Sequence, residues 1–416
     1  GSHLAKYIQG RQEQAMRRFH YFHKGSQKVD LDSNEVKKVY RIAGRKYYVK
    51  YFNFPTRRIA DDFMDELAQH GNNFRKVLES LPNQGEIRIP KMEVKFNTSK
   101  DDVIHTALFN KDSESIKSGD IIGPQETHDK NYVVMQIDSI HYRMAMSGKQ
   151  SRIRYSDVEK KLTHNKAKDI YAQYVHELMA GKSMQFNRET FSEAARIFSQ
   201  IYSISQEKKK EGLSNAMWGK NIEQELSDSL GNELNSFNDR VFFTIGEEEW
   251  TVADFREELL SHPLVFRSKD INSNREFAKQ FRLAIADLIR DHYITQDAYE
   301  EDYDQTQYVQ NYTDMWRDEV LATYGKYDFL HKAGFQDNFG KNYMKAINNH
   351  LNNYVDSLQV KYNDEIYVNV DAFNEIRLTR IDLFALESNA AYPIVVPGFP
   401  ILTTDNKLDY GQRLEE

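Results

Sequence analysis

Cysteine is missing from all 416 positions, and that absence removes disulfides, thiolate nucleophiles and Cys-ligated zinc together. A chain without thiols suits an oxidising compartment, where a stray thiol would mispair. Proline is scarce, with 8 residues, three of them between Pro393 and Pro400. No stretch approaches the roughly 18 apolar residues of a membrane span; the longest candidate, Pro393 to Leu402, is broken by those prolines. Basic residues are not in excess, since 56 Lys and Arg stand against 63 Asp and Glu for a formal net charge of −7. Phosphate backbones need a basic face, so the balance argues against nucleic acid as the main partner. The run Lys208-Lys209-Lys210 is flanked by Glu207 and Glu211 and reads as a solvated helix face. There is no Gly-rich phosphate loop, no Gly-x-Ser-x-Gly and no His-Glu-x-x-His, so no cofactor or metal is implied. The acidic group Glu300-Glu301-Asp302-Tyr303-Asp304 lacks the glycine and spaced ligands of a calcium loop and reads as a solvated helix end.

What is abundant is tyrosine and phenylalanine, 25 and 24 residues against 3 Trp. Tyrosine joins an apolar ring to a wet hydroxyl and suits surfaces that contact varied partners; ordinary composition bias gives the same count. The length predicts two to four domains. Gly1-Ser2-His3 reads as the scar of a cleaved tag, which leaves a signal peptide or lipid anchor upstream open.

Along the chain, residues 5–24 carry a broken apolar stripe (Ile8, Ala15, Met16, Phe19, Phe22) and predict a helix stopped at Gly25. Asp32 or Ser33 caps a short helix, Asn34 to Ile42. Tyr47 to Phe54 alternates as a strand that Pro55 ends. Amphipathic helices follow over Arg57 to Gln69 and on to Ser80. Ile87 to Val94 reads as extended, Asp102 to Phe109 as a helix, and Ile121 to Pro124 with Tyr132 to Ile140 as paired strands. This α-β-α-α-β-α-β-β order over about 110 residues predicts a compact α+β module. Beyond Tyr155 long helices dominate: Asp157 to Ala180, Thr190 to Ile204, Asn274 to Tyr299, then 305–323 and 339–358. Arg240 to Trp250 reads as a hairpin turning at Gly246, and Thr251 caps Val252 to Leu260. Residues 205–237 are polar and weakly patterned. Pro393 to Pro400 predicts either an extended strap on the helical region or a partner-binding strand.

One internal echo suggests a repeat. Tyr174 to Leu178 is followed by Phe186-Asn187-Arg188-Glu189-Thr190-Phe191, and Tyr354 to Leu358 by Val368-Asn369-Val370-Asp371-Ala372-Phe373. Both read as helix end, short strand with Asn, then capped helix.

The segment Tyr47 to Tyr142 resembles the parvulin (rotamase) domain. The resemblance rests on the opening strand Tyr48 to Phe54, on His70-Gly71-Asn72-Asn73-Phe74, and on Ala107-Leu108-Phe109. It continues in Ser118-Gly119-Asp120-Ile121-Ile122-Gly123-Pro124, Thr127 and Tyr132-Val133-Val134, and covers about a quarter of the chain. The preamble Val29 to Val36 looks like the linker helix leading into such modules, and 251–330 is similar in pattern to the chaperone domain of SurA- and PrsA-like foldases. The expected organisation is therefore 4–46 N-terminal helices and linker, with the end of a truncated upstream domain as one reading of them; 47–145 parvulin-like domain; 146–390 mainly helical, chaperone-like domain; 391–416 C-terminal strap. The fold class is α+β, a parvulin-like module beside a larger α-helical region.

The family places facing histidines on its opening and closing strands, with a Cys or Asp between and a Thr nearby. Here Tyr51 and Val133 occupy the histidine positions, no Cys exists, and Thr127 alone remains. His70, His105 and His128 are local but read as exposed or helix-end side chains, since a lone imidazole is not a catalytic constellation. No catalytic residue is assigned. The resemblance instead implies an apolar peptide pocket of Tyr51, Ile104, Phe109, Thr127, Val133 and Met135, with Phe109 and Ile104 equally readable as core. The implied function is an extracytoplasmic holdase in the periplasm or cell envelope, with unfolded or nascent envelope proteins as partners and the membrane touched at most peripherally. Rival readings are an active isomerase using Thr127, Tyr51 and His128, or a structural subunit of an envelope complex.

Overall fold

The computed structural model describes residues 2–80, 89–97, 102–127, 130–202, 235–267, 271, 273–335, 339–367, 369–375, 392 and 394–404. It is mixed helix and sheet, with two antiparallel sheets among the described residues. The polar stretch 205–234, the Lys208 run and the loop from Pro82 to Gly85 lie outside the described residues.

Alternation in the first strand decides the first sheet. In β1 (Arg45–Phe54), Tyr47, Val49 and Tyr51 face one side, and Phe52 and Phe54 the other. The order is β2-β1-β4-β3, with β2 Lys91–Lys95, β3 Ile121–Glu126 and β4 Tyr132–Tyr142. The register slips between Tyr48 and Val49, leaving Asp138 unpaired on β4, and Lys50 and Lys91 take up its charge. Both faces are apolar, so both must be covered. Val36 and Val39 of α2 (Ser33–Ile42), Ile104 and Leu108 of α5 (Asp102–Leu108) and Val158 and Leu162 cover the Tyr47 face. Ala60, Phe63 and Leu67 of α3 (Arg57–Gln69) and Phe74, Val77 and Leu78 of α4 (Phe74–Ser80) cover the Phe54 face. Asp32 caps α2 by accepting from the Asn34 amide, and Thr56 caps α3 by accepting from that of Ile59.

Val158 and Leu162 belong to α6 (Gly148–Leu178), which begins nine residues before the expected Asp157. Its first turns leave Ile153 and Tyr155 exposed and show no apolar period; the Ser147 cap on the Gln150 amide starts the helix instead. Beyond α6 come β5 (Met184–Phe186), α7 (Arg188–Tyr202), β6 (Val241–Ile245) and β7 (Glu248–Thr251). The strands form a sheet ordered β5-β6-β7, and Gly246 adopts φ 62 at the hairpin turn, a conformation that favours glycine. A capping box of Thr251 and Asp254 starts α8 (Val252–Ser261). Phe191, Phe198, Phe242, Phe255, Phe277 and Phe281 gather where this sheet meets α7, α8 and α9 (Asn274–Glu300).

In a third packing unit, helix α1 (Ser2–Lys24) is held against the helical body. Its Ala15 and Met16 pack with Ala298 of α9 and with Val309, Tyr312 and Trp316 of α10 (Gln307–Lys332). Residues 4–46 are thus divided: α1 joins the helical body, and α2 joins the first sheet. Helix α10 also runs past its expected end at 323, because Leu330 packs on Ile347 and Leu351 and this burial outweighs the weak helix preference of Gly325. The helix expected over 339–358 is three pieces, α11 (Phe339–Ala346), a π-helical turn (Ile347–Leu351) and α12 (Asn352–Tyr362). The last described helix, α13, is Val370–Glu375.

The echo holds in its caps. Asn187 Oδ1 accepts from the Thr190 amide at 3.1 Å, and 182 residues later Asn369 Oδ1 accepts from the Ala372 amide at 2.8 Å. The first copy pairs β5 with β6; residues 366, 367 and 369 of the second are in no strand.

Close approach of α1 to α8 depends on Gly10, which is buried; a Cβ there would sit 2.0 Å from the Ser261 carbonyl oxygen. Alanine favours an isolated helix over glycine by about 1 kcal/mol. Gly10→Ala is nonetheless expected to destabilise the protein, by about 1–3 kcal/mol as overpacking does. Urea unfolding followed by circular dichroism checks the sign.

Candidate functional site

The sequence-derived pocket residues fall on neighbouring elements. Tyr51 of β1 lies opposite Met135 of β4, and Val133 lies opposite Asn53, so Tyr51, Val133 and Met135 share one face two residues apart. Ile104 and Phe109 join them in the same apolar cluster. Ile104, Phe109, Val133 and Met135 are each no more than 3% exposed and lie in the core. Phe109 packs edge-on to Tyr47 and Phe96. Tyr51 is half-buried. Thr127 stands apart at the turn between β3 and β4, where its hydroxyl donates to the Asn131 carbonyl at 3.0 Å.

The two described local histidines, His70 and His105, do not converge. His70 ends α3 and pairs with Glu66 at 3.3 Å. His105 is buried rather than exposed, between the Phe96 and Phe109 rings, with Nε2 3.0 Å from the Phe96 carbonyl oxygen. His128 lies outside the described residues. Sheet alternation explains the burial: the positions that line a pocket in an open scaffold are the inward positions of a strand.

Sequence reading missed two polar features of the helical body. The first is a buried hydrogen-bond array. His20 of α1, fully buried, has Nδ1 2.9 Å from the Tyr171 hydroxyl and Nε2 2.6 Å from Asp297 Oδ2. Tyr174 donates to the same carboxylate oxygen at 2.7 Å. One turn away Arg17 donates to the Thr295 hydroxyl at 2.8 Å, which donates to the Asp291 carbonyl. Asp291 accepts from Arg290 and Tyr392, and its other oxygen lies 3.0 Å from His262 Nε2. Burial pushes the Asp291 carboxyl up, but the His262 hydrogen bond and the Arg290 and Arg17 charges outweigh it and hold it well below the usual range. Hydroxyl, imidazole and carboxylate stand in line at Tyr171, His20 and Asp297. His20 is sealed and Tyr171 is 6% exposed, which keeps the imidazole out of a substrate's reach. The array is structural.

The second feature is a groove of about 450 Å³ where α1, β7, α8 and α9 meet. Glu13, Glu248, Glu249, Asp254, Glu257 and Glu258 face it, against Lys6 and His292. Lys6 pairs with Glu257 at 3.2 Å. Burial pushes Glu258 up, yet the His292 hydrogen bond and the charges of His292, His262 and Arg17 together outweigh it and leave the carboxyl below its ordinary value. The run Glu247-Glu248-Glu249-Trp250 was visible in the sequence, but the groove needs α1 beside it, and nothing local in the chain announces that. Its charge suits a cation. Among the described residues no group of three or more His, Asp or Glu is arranged to hold a metal ion.

Comparisons of the chain with protein-family models, with characterised proteins and with solved structures return no match. No described helix is long and apolar enough to cross a membrane.

Burial, opposed by Asp297, lowers the His20 pKa below 6.5. Below that pH the unfolded chain takes up a proton that the folded chain refuses, so stability falls as pH drops, by up to about 1.4 kcal/mol per unit. The loss stops growing once pH passes the folded value. His20→Gln is expected to flatten that slope below pH 6.5, by at most one proton. Urea unfolding across pH 5 to 8, in both proteins, measures it.

Proposed function

We propose that this protein is an extracytoplasmic holdase that binds unfolded or translocated polypeptides, built around an isomerase-like module with little or no isomerase activity. The observation that carries the reading is the pairing of β1 with β4, which sets Tyr51 and Val133 on adjoining strands and on one face. Those are the positions at which the parvulin resemblance calls for two imidazoles. A phenol beside an isopropyl group cannot do the work of that pair. Rotation about a prolyl bond meets a barrier of about 20 kcal/mol, and lowering it takes polar groups set around the reacting amide. Thr127 is engaged with Asn131, which disfavours the rival reading of an active isomerase with an unorthodox site.

Exposed apolar side chains support the binding half of the proposal. Leu321, Tyr324, Val360 and Tyr367 of the C-terminal helices and their connections are 60–83% exposed, and Met144 and Met146, between β4 and α6, are 77% and 84% exposed. Flexible methionines adapt to varied partners. Weak contacts of this kind add up when one client engages several at once. The lack of thiols fits an oxidising compartment such as the periplasm or cell envelope.

At micromolar concentration the protein is expected to suppress aggregation of a chemically unfolded client, while leaving the cis–trans relaxation of a proline tetrapeptide at its uncatalysed rate. Light scattering and a protease-coupled assay read the two halves. Clear catalysis that disappears in Thr127→Ala would overturn the inactive-module reading. A single stoichiometric partner recovered from native envelope would replace the holdase by a subunit of a fixed complex.

A further inference from the structure

The tail is the one described segment that lies on the helical body without belonging to a helix or strand for eleven consecutive residues, 394–404. It is anchored at both ends. Tyr392, just ahead of it, donates to Asp291 at 3.1 Å. Beyond it, Asn352 Oδ1 accepts from the Thr403 hydroxyl and the Thr404 amide, both at 3.0 Å. Between the anchors the Tyr312 hydroxyl donates to the Val395 carbonyl oxygen. Val395 packs in the cluster of Tyr7, Tyr312 and Trp316, and Pro397 is buried. Ile394, Val396, Phe399 and Ile401 point the other way and are 46–67% exposed.

This is how a site for extended polypeptide holds its ligand. A hydrogen bond to a backbone carbonyl reads any sequence, and pockets for alternate side chains supply the preference. Proline needs no partner for an amide hydrogen and is already extended, so its burial leaves no donor unsatisfied. A strap whose task was only structural would turn its largest apolar groups inward. Here Phe399 and two isoleucines face water, and the part that is gripped is small: an aliphatic residue, one spacer and a proline.

We propose that Val395 to Pro397 occupies, in cis, a binding site of the helical body for extended client segments that carry an aliphatic residue two positions before a proline. The site is the surface of α1 and α10 around Tyr7, Tyr312 and Trp316. This rests on the holdase reading and deepens it by naming the segment bound and the face that binds it. The tail, being tethered, competes at an effective concentration in the millimolar range, so a client must displace it.

The test uses the full chain and a fluorescent peptide copying Ile394 to Leu402, followed by anisotropy. In Val395→Asp/Pro397→Asp the tail no longer fits its site, and the peptide is expected to bind saturably, at least about tenfold more tightly than to the unaltered chain. A peptide carrying the same two changes is expected not to bind. Equal affinity for both proteins, or no binding to a variant that melts cooperatively, overturns the proposal. If that variant fails to fold, Asn352→Ala/Tyr392→Phe cuts only the flanking anchors. Apparent affinity should then rise several-fold, and an unchanged value overturns the proposal. Aggregation assays separate the two readings. A client protected equally by released and unaltered chains, with no effect of added peptide, sinks the tail site and leaves the holdase standing. Peptide binding to the released chain without client protection supports the site and removes the holdase.

Discussion

The imidazole of His20 is the point on which the arrangement of the helices turns. It is fully buried and meets a hydroxyl from α6 on one side and a carboxylate from α9 on the other. An unpartnered polar group in such a place would be penalised by a few kcal/mol, so α1 has few registers in which it can lie between its neighbours. Arg17, one turn earlier, repeats the constraint through Thr295. Apolar contacts such as Met16 on Trp316 supply attraction without direction; the polar contacts select the register. Once α1 is fixed, the groove beside Glu13 and the surface under Val395 exist as well, because α1 forms one wall of each.

That same constraint explains why α1 was legible as a helix and not as a central one. Glu13, Arg17 and His20 recur at helical spacing on its buried side. A reading that counts apolar residues as inside and charged ones as outside sees there a broken stripe and a peripheral helix. Where burial is purchased with hydrogen bonds, the hydrophobic period fades. The start of α6 was hidden for the opposite reason, its first turns being solvated. Elements decided by local chemistry came through: the Asp32 and Thr251 caps, the Gly246 hairpin, and α3 with its bounds of Arg57 and Gln69.

The candidate site was legible in its topology and not in its depth. The resemblance grouped Tyr51, Val133 and Met135, and the pairing of β1 with β4 sets the three on one face. Whether such a face is roofed depends on α2, α5 and α6, drawn from as far away as Val36 and Leu162. No pattern within the strands carries that information. The acidic groove was invisible for the same reason, since Glu13, Glu248 and Tyr299 come together only in three dimensions.

Helix α6 spans 31 residues without a break, and at 1.5 Å per residue such a rod is about 46 Å long. In its first half Val158 and Leu162 are sunk into the first sheet, and toward its C-terminal end Tyr171 and Tyr174 are tied to α1 and α9. It is therefore a lever clamped at both sites: tilting the sheet by about 10° would swing the far tip, about 30 Å from Val158, by roughly 5 Å. The hydrogen bonds around His20 would break long before that. Whatever pulls on one half of this molecule will be felt in the other.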